Sequence, residues 1–315
     1  MGLRLSAGVE RRFRTILCPV DFSEPARTAL RYAATIARRS AGHVTVLYVN
    51  DPLLIGAAAA VYHRTGLAQR TRAELLRFVR TSTGTGTLKA TSIRSTVSLD
   101  DPAREILSAA RRLGSDLIVM GTHGLSGIDK LFFGSTAEHV LRRAAIAVLA
   151  VPSTHSARKS TRNAPLVSWP ITRLIAPIDL GEQSERDARQ AADLALWFDA
   201  RLLLVHVVSK IQTPPWLRAN LAAHDRIRIA TAQSTLESVR TALGPKIKAA
   251  CRVVMGDPAD EIAAVAARER SGLVVMTLGG EGGLLGSRPG SIAYHVASHA
   301  VTPVLALPAR GRRKR

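Results

Sequence analysis

Aromatic residues make up only 4% of this 315-residue chain, so Ala, Val, Leu and Ile must build its cores. The same scarcity leaves little to stack nucleobases, and no RRM, KH or zinc-finger pattern occurs. Nucleic acid is therefore not an expected partner. Cysteine is nearly absent: Cys18 and Cys251 sit in apolar strand-like runs without a CxxC partner, which excludes a disulfide framework. Free thiols buried in a reducing cytoplasm are the expectation. The longest apolar run, LLIGAAAAVY (residues 53–62), is far too short to cross a bilayer, so no membrane span is expected. MGLRLSAGVERRFR lacks the apolar stretch of a secretory signal. It does fit the loose M-G-x-x-x-S myristoylation pattern, for which a chance match is the simpler reading. A cytoplasmic location is expected. Acidic residues are few, 24 against 44 Lys and Arg, giving a net charge of +20. The basic residues are spread along the chain and cluster only in the terminal RGRRKR. That distribution suits solubility and weak attraction to polyanions better than a dedicated nucleic-acid face.

What is present is a repeat. TILCPVDFSEPARTALRYAATIARRSAGHVTVLYV (15–49) aligns with RLIAPIDLGEQSERDARQAADLALWFDARLLLVHV (173–207), placing Asp21 on Asp179 and Val49 on Val207, 158 positions apart. Further on, DDPAREI matches GDPADEI, SDLIVM matches SGLVVM, GSTAEHV matches GSIAYHV, and AVLAVP matches PVLALP, now 156 apart. Matching blocks in one order mean a tandem duplication. At this length the chain can bury two cores. The expected domains are 10–153 and 171–309, joined by a polar, basic, proline-containing linker over 154–170 and followed by a basic tail, 310–315.

Each copy alternates short apolar runs with helical patterns. ILCPVD and LIAPID precede Ala- and Arg-rich helices; VTVLYV and LLLVHV form second strands. Third strands lead to Asp101-Pro102 and Asp257-Pro258, where the Asp is a plausible cap and the Pro a first helical residue. DLIVM and GLVVM enter Gly-rich loops, and AVLAV and PVLAL close the copies. Strands apolar on both faces, alternating with helices, predict an α/β fold. It consists of two tandem doubly wound domains, each with a five-stranded parallel sheet and helices on both faces.

In such sheets, ligands bind beyond the carboxyl ends of the strands at the topological switch point. Asp21, Val49 and the loop MGTHGLSGIDKLFFGST (120–136) all fall at strand ends. The loop reads G-x2-G-x9-G-S through Gly121, Gly124, Gly134 and Ser135. Such a loop either makes an ordinary strand-to-helix turn or presents N–H groups to a phosphate. Ser135 and Glu138 have capping-box spacing. No Gly-Lys dipeptide, G-x-G-x-x-G, HExxH or GxSxG occurs, which excludes the common nucleotide, zincin and hydrolase signatures. No catalytic constellation is legible.

On these motifs, CPVDFSEPA after the first strand and G-x2-G-x9-G-S after the fourth, the chain resembles a tandem universal stress protein of the branch that binds ATP. The resemblance covers nearly the whole chain, twice. It implies that Asp21 contacts adenine with Val49 beside the base, and that Gly121, His123, Gly124, Gly134, Ser135 and Thr136 hold ribose and phosphates. The corresponding second site would comprise Asp179, Val207, Gly256, Gly280, Gly290, Ser291 and Ile292. ATP is the implied ligand, with Mg as a candidate companion and no metal site identified. Domain 1 is expected to pair with domain 2 as a pseudo-dimer through their closing strands, the alternative being two separate domains on a flexible linker; a homodimer is a further candidate association.

As a lone carboxylate at a strand end, Asp21 reads as a hydrogen-bond acceptor rather than a general base or metal ligand. His123 either touches a phosphate or fills the loop, since the second copy has Gly279 there. His139 and His295 read as structural helix positions. Two departures matter: Asp100 stands where the family has Gly, and Thr277 replaces the first loop glycine. The hydroxyl of Thr277 could donate to ribose, but the lost glycine predicts that the first site binds more tightly. The expected function is an ATP-binding stress or regulatory module whose occupancy alters conformation or partners. The alternatives are a slow ATPase or phosphotransferase in the same crevice, and a nucleotide-free scaffold.

Overall fold

A computed structural model describes residues 12–50, 64–83, 91–97, 101–122, 134–152, 171–211, 221–278 and 291–308. Two compact units divide the chain, one within Glu10–Trp169 and the other within Pro170–Arg315.

The first unit runs β1 (Thr15–Pro19), α1 (Glu24–Ser40), β2 (His43–Asn50), α2 (Arg64–Thr83), β3 (Thr91–Val97), α3 (Pro102–Arg112), β4 (Leu117–Gly121), α4 (Ser135–Arg143) and β5 (Ala147–Val151). Its strands lie in the order β3-β2-β1-β4-β5, and all their pairings are parallel. Ile16 is the pivot, in register with Val44 on one side and Leu117 on the other. Because crossovers are right-handed, the chain deposits α1 and α2 on one face and, after reversing direction, α3 and α4 on the other. The packing of α1 on α2 and of α3 on α4 agrees. With helices on both faces, β4 and β5 are buried almost throughout. Helix α1 turns a stripe of Ala26, Ala29, Leu30, Ala33 and Ala37 inward, at the spacing of one helix face.

The second unit repeats the plan. Its elements are β6 (Arg173–Pro177), α5 (Ser184–Phe198), β7 (Arg201–Val208), α6 (Ala222–Ala242), β8 (Ala249–Met255), α7 (Pro258–Arg268), β9 (Leu273–Leu278), α8 (Ser291–His299) and β10 (Val304–Pro308). The strand order is β8-β7-β6-β9-β10, again parallel. The α/β tandem expected from the sequence is the observed architecture. Cys18 is buried in β1, but Cys251 is only half-buried, because β8 is an edge strand of its sheet with no fully buried position. Among the described residues, no helix is long and apolar enough to cross a membrane.

Candidate functional site

In each unit the strand order reverses between the first and fourth strands, so the crevice belongs at their carboxyl ends. In the first unit, Val20 N–H still donates to Leu47 O at 2.8 Å, one residue beyond β1. The chain then turns sharply through Phe22 at φ +65°, an uncommon conformation for an aromatic residue. That turn folds Ser23 back onto Asp21. Both the backbone N–H of Ser23, at 3.0 Å, and its hydroxyl donate to Asp21 Oδ1. Ser23 Oγ in turn accepts from Ala26 N–H at 3.2 Å and so caps α1. Asp21 is thereby fixed in orientation at the switch point while remaining partly exposed.

Opposite it, β4 ends at Gly121, which packs closely against the start of α1. A Cβ there would lie 2.9 Å from Pro25 Cβ and 3.0 Å from the Pro25 carbonyl carbon. The close approach that demands glycine is that of the α1 backbone. Next, fully buried Thr122 donates its N–H to Val151 O at 3.0 Å and accepts at its carbonyl from Gly134 N–H at 2.8 Å. Thr122 and Gly134, on either side of positions 123–133, are thereby joined; His123 and Gly124 lie outside the described residues.

The expected capping box is not formed. Gly134, not Ser135, is the N-cap of α4, and no side chain caps this end. Ser135 is the first helical residue and exposed, Thr136 is half-buried, and Glu138 accepts from Arg142 Nε at 2.9 Å instead. The clasp between Thr122 and Gly134 sets the helix start one residue ahead of the serine. An N-terminus without a side-chain cap, carrying two hydroxyl residues in its first turn, can receive an anion.

Val49 is half-buried near the end of β2. Beside it lies a group not singled out from the sequence: Phe22 sits 4.8 Å from Tyr48 and 5.5 Å from Phe78, ring centre to ring centre. Arg27 lies over Phe78 at 4.6 Å and donates to Thr81 and Ser82. On the other face, His139 Nδ1 lies 3.2 Å from Asp101 Oδ2, whose Oδ1 caps α3 through Ala103 N–H. His139 thus ties α4 to α3.

The second unit keeps the turn but changes its contents. Leu180 takes φ +61°, and Asp179 accepts from Gly181 N–H at 2.9 Å. Gly181 stands where Ser23 stands, so no hydroxyl caps the helix, and α5 begins two residues later than α1 does in the aligned numbering. Near the end of β9, Thr277 Oγ1 donates to Asp187 Oδ1 at 3.0 Å. Burial raises the Asp187 pKa above its usual value, the nearby Asp179 charge adds to that, and the Thr277 bond opposes it. Val207 is half-buried. At its neighbour, His206 Nδ1 donates to Ile178 O at 2.7 Å. Gly256 is covered by Glu261, whose Cγ would meet a Cβ there at 2.6 Å. Asp257 caps α7 through Ala259 and Asp260 N–H, as its spacing predicts. Ile292 in the first turn of α8 is 42% exposed. Gly280 and Gly290 lie outside the described residues, as does the side chain of Ser291. Among the described residues, no group of three or more His, Cys, Asp or Glu could hold a metal ion.

These features define a tandem of doubly wound α/β domains whose first copy offers an oriented carboxylate and an anion-receptive helix end across one switch point. The chain belongs to the universal stress protein family, whose sequence profile matches residues 12–152 and again 170–308. It is 24% identical over 308 residues to a universal stress protein of Mycolicibacterium smegmatis, covering 94% of this chain and 97% of the relative. It is 30% identical over 151 residues to one of Methanocaldococcus jannaschii, covering 45% of this chain and 84% of that protein. The crystal structure of a universal stress protein from Archaeoglobus fulgidus shares the fold, with a TM-score of 0.62 at 17% identity over 95% of this chain and 98% of the other.

Proposed function

We propose that this chain is an ATP-binding member of its family, and that occupancy of the first domain's crevice modulates its conformation or its binding to partners. The observation that carries this reading is the end of α4, where Gly134 leaves the first-turn N–H groups without a side-chain cap, across the switch point from Asp21. The donor set suits the ligand. N–H groups and the Ser135 and Thr136 hydroxyls would hold phosphate oxygens, with the helix dipole favouring their charge. Asp21 is acceptor-only when ionised. Both of its intramolecular bonds end on Oδ1, and no described residue donates to Oδ2, which would accept from the adenine amino group. Val49 would cover the base. Bound there, ATP supplies charge and shape that order the crevice.

The test is a nucleotide count on the purified full chain after denaturation, followed by titration of the nucleotide-free protein. ATP is expected to bind, and Asp21→Ala to weaken it about tenfold or more, the cost of one charge-assisted hydrogen bond. Unchanged affinity in Asp21→Ala, or equal competition by NADH, would refute the reading. Turnover of Mg·ATP well above background would move the chain into the enzyme class.

A further inference from the structure

We propose that Asp187 and Thr277 make the second domain reject polyphosphates, so that the chain takes up ATP at the first domain alone. The inference rests on the crevice being the nucleotide site. Aligned on the repeat, Asp187 occupies the position of Ala29, and Thr277 that of Gly121. In the first domain these two positions hold no charge: Ala29 is fully buried, and Gly121 lies flush against Pro25. In the second, α5 starts later, and Thr277 and Asp187 are joined by a 3.0 Å hydrogen bond.

The bond places a carboxylate against the strand end that opens the Gly-rich loop. Asp187 lies close enough to Asp179 for the two charges to disfavour each other. The second switch point therefore carries two carboxylates where the first carries Asp21. The charge of Arg186 acts on Asp187 in the opposite sense. A polyphosphate entering here meets like charge in partly desolvated surroundings, where screening by solvent is incomplete. It also loses a donor, because Ile292 stands in the place of Thr136. Thr277 cannot compensate by donating to ribose, since its hydroxyl proton is already directed at Asp187.

The experiment is calorimetric titration of the full chain with Mg·ATP near neutral pH. It compares wild type, Asp187→Asn, and the double variant Asp187→Ala with Thr277→Gly, each also made in an Asp21→Ala background that weakens the first crevice, so that a change at the second can be assigned to it. Wild type is expected to bind about one equivalent, and the double variant to gain a second with at least about tenfold higher second-domain affinity. Asp187→Asn preserves volume and the contact with Thr277, so it tests charge alone and guards against misfolding of the double variant; it should move affinity the same way by about threefold or more. Two equal sites in wild type, or second-domain affinity within about twofold of wild type in both variants, would overturn the proposal. The function proposed above fails on a different result, the absence of binding at the first domain; gain or no gain in the second still decides this one.

Discussion

The two domains share a backbone plan and differ in how each closes the junction between its first helix and fourth strand. Domain 1 closes it with a small-residue contact, Gly121 against Pro25, and ties the turn with the chain of bonds from Asp21 through Ser23 to Ala26. Domain 2 has neither proline nor serine at those positions, starts its helix later, and joins α5 to β9 by a polar pair, Thr277 and Asp187. A duplicated fold tolerates either solution because the turn itself, set by the left-handed residue at Phe22 or Leu180, is independent of what packs beneath it. Chemistry at the strand ends can diverge while the scaffold stays.

The largest expected effect comes from forcing one solution onto the other domain. Gly121→Thr drives a branched side chain into Pro25 and the α1 backbone, which cannot yield as a flexible side chain would. It should destabilise domain 1 by about 2–3 kcal/mol, the usual cost of overpacking, read as a lower urea midpoint. A stability within about 0.5 kcal/mol of wild type would show that α1 can shift as α5 has, and would dissolve the structural distinction between the domains.

A second difference lies at the opposite ends of the strands. Asp116 accepts from Arg14 N–H at 2.8 Å and Thr15 N–H at 3.1 Å, pinning the start of β1. Domain 2 has Gly272 in that position, with Ile171 Cα only 3.1 Å from where a Cβ would be, and Ser271 Oγ bonds the strands there. Asp116→Ala leaves two backbone donors without their partner and should cost about 1–3 kcal/mol. The reverse change, Gly272→Asp, should also destabilise, because the site has no room. Equal tolerance of both variants in chemical denaturation would mean that the two strand starts are interchangeable.

Much of this architecture was legible in the sequence, for identifiable reasons. The duplication, the parallel strands and the caps at Asp101 and Asp257 depend on local spacing, which a sequence displays. The start of α4 did not follow from local spacing. Ser135 and Glu138 have the pattern of a capping box, but the clasp from Thr122 to Gly134 decides where the helix begins, and its partner is brought by the fold. Gly121 was legible as a loop glycine at a strand end; the close packing of the α1 start at Pro25 against it was not, because the fold brings that partner. Asp187 was not singled out from the sequence, since its partner Thr277 is 90 residues away. The cluster of Phe22, Tyr48 and Phe78 joins a turn, a strand and a helix that no spacing relates.

Asp187 also gives the comparison a pH dependence. Its pKa is raised from 3.8 in the folded chain, so between that value and the folded one the native state binds more protons than the unfolded state. Stability attributable to this group therefore falls as pH rises through that window and levels off above it. Asp187→Asn should remove this component, leaving the variant at least as stable as wild type near neutral pH and losing its relative advantage toward about pH 4. Asp116, also raised by burial, works in the same direction in domain 1, so the slope should shrink and not vanish. Thermal midpoints of the two proteins that stay parallel across this range would refute the assignment.

The smallest expected effect concerns the contact between α3 and α4. Asp101 and Asp257 both cap their helices, so replacing either by Ala should cost about 1 kcal/mol. Only in domain 1 does the structure add a histidine: His139 Nδ1 meets Asp101 Oδ2 at 3.2 Å, whereas the ring of His295 packs edge-on against Tyr294. The His139 side chain is 47% exposed and that of Asp101 34%, so solvent competes for the pair and its coupling should stay below about 1 kcal/mol. A double-mutant cycle on Asp101 and His139 should return a coupling of a few tenths, and the matching cycle on Asp257 and His295 should return none within error. Coupling of equal size in both cycles would mean that the second histidine also reaches its cap. The contact would then be a property of the duplicated fold and no longer a mark of the first domain.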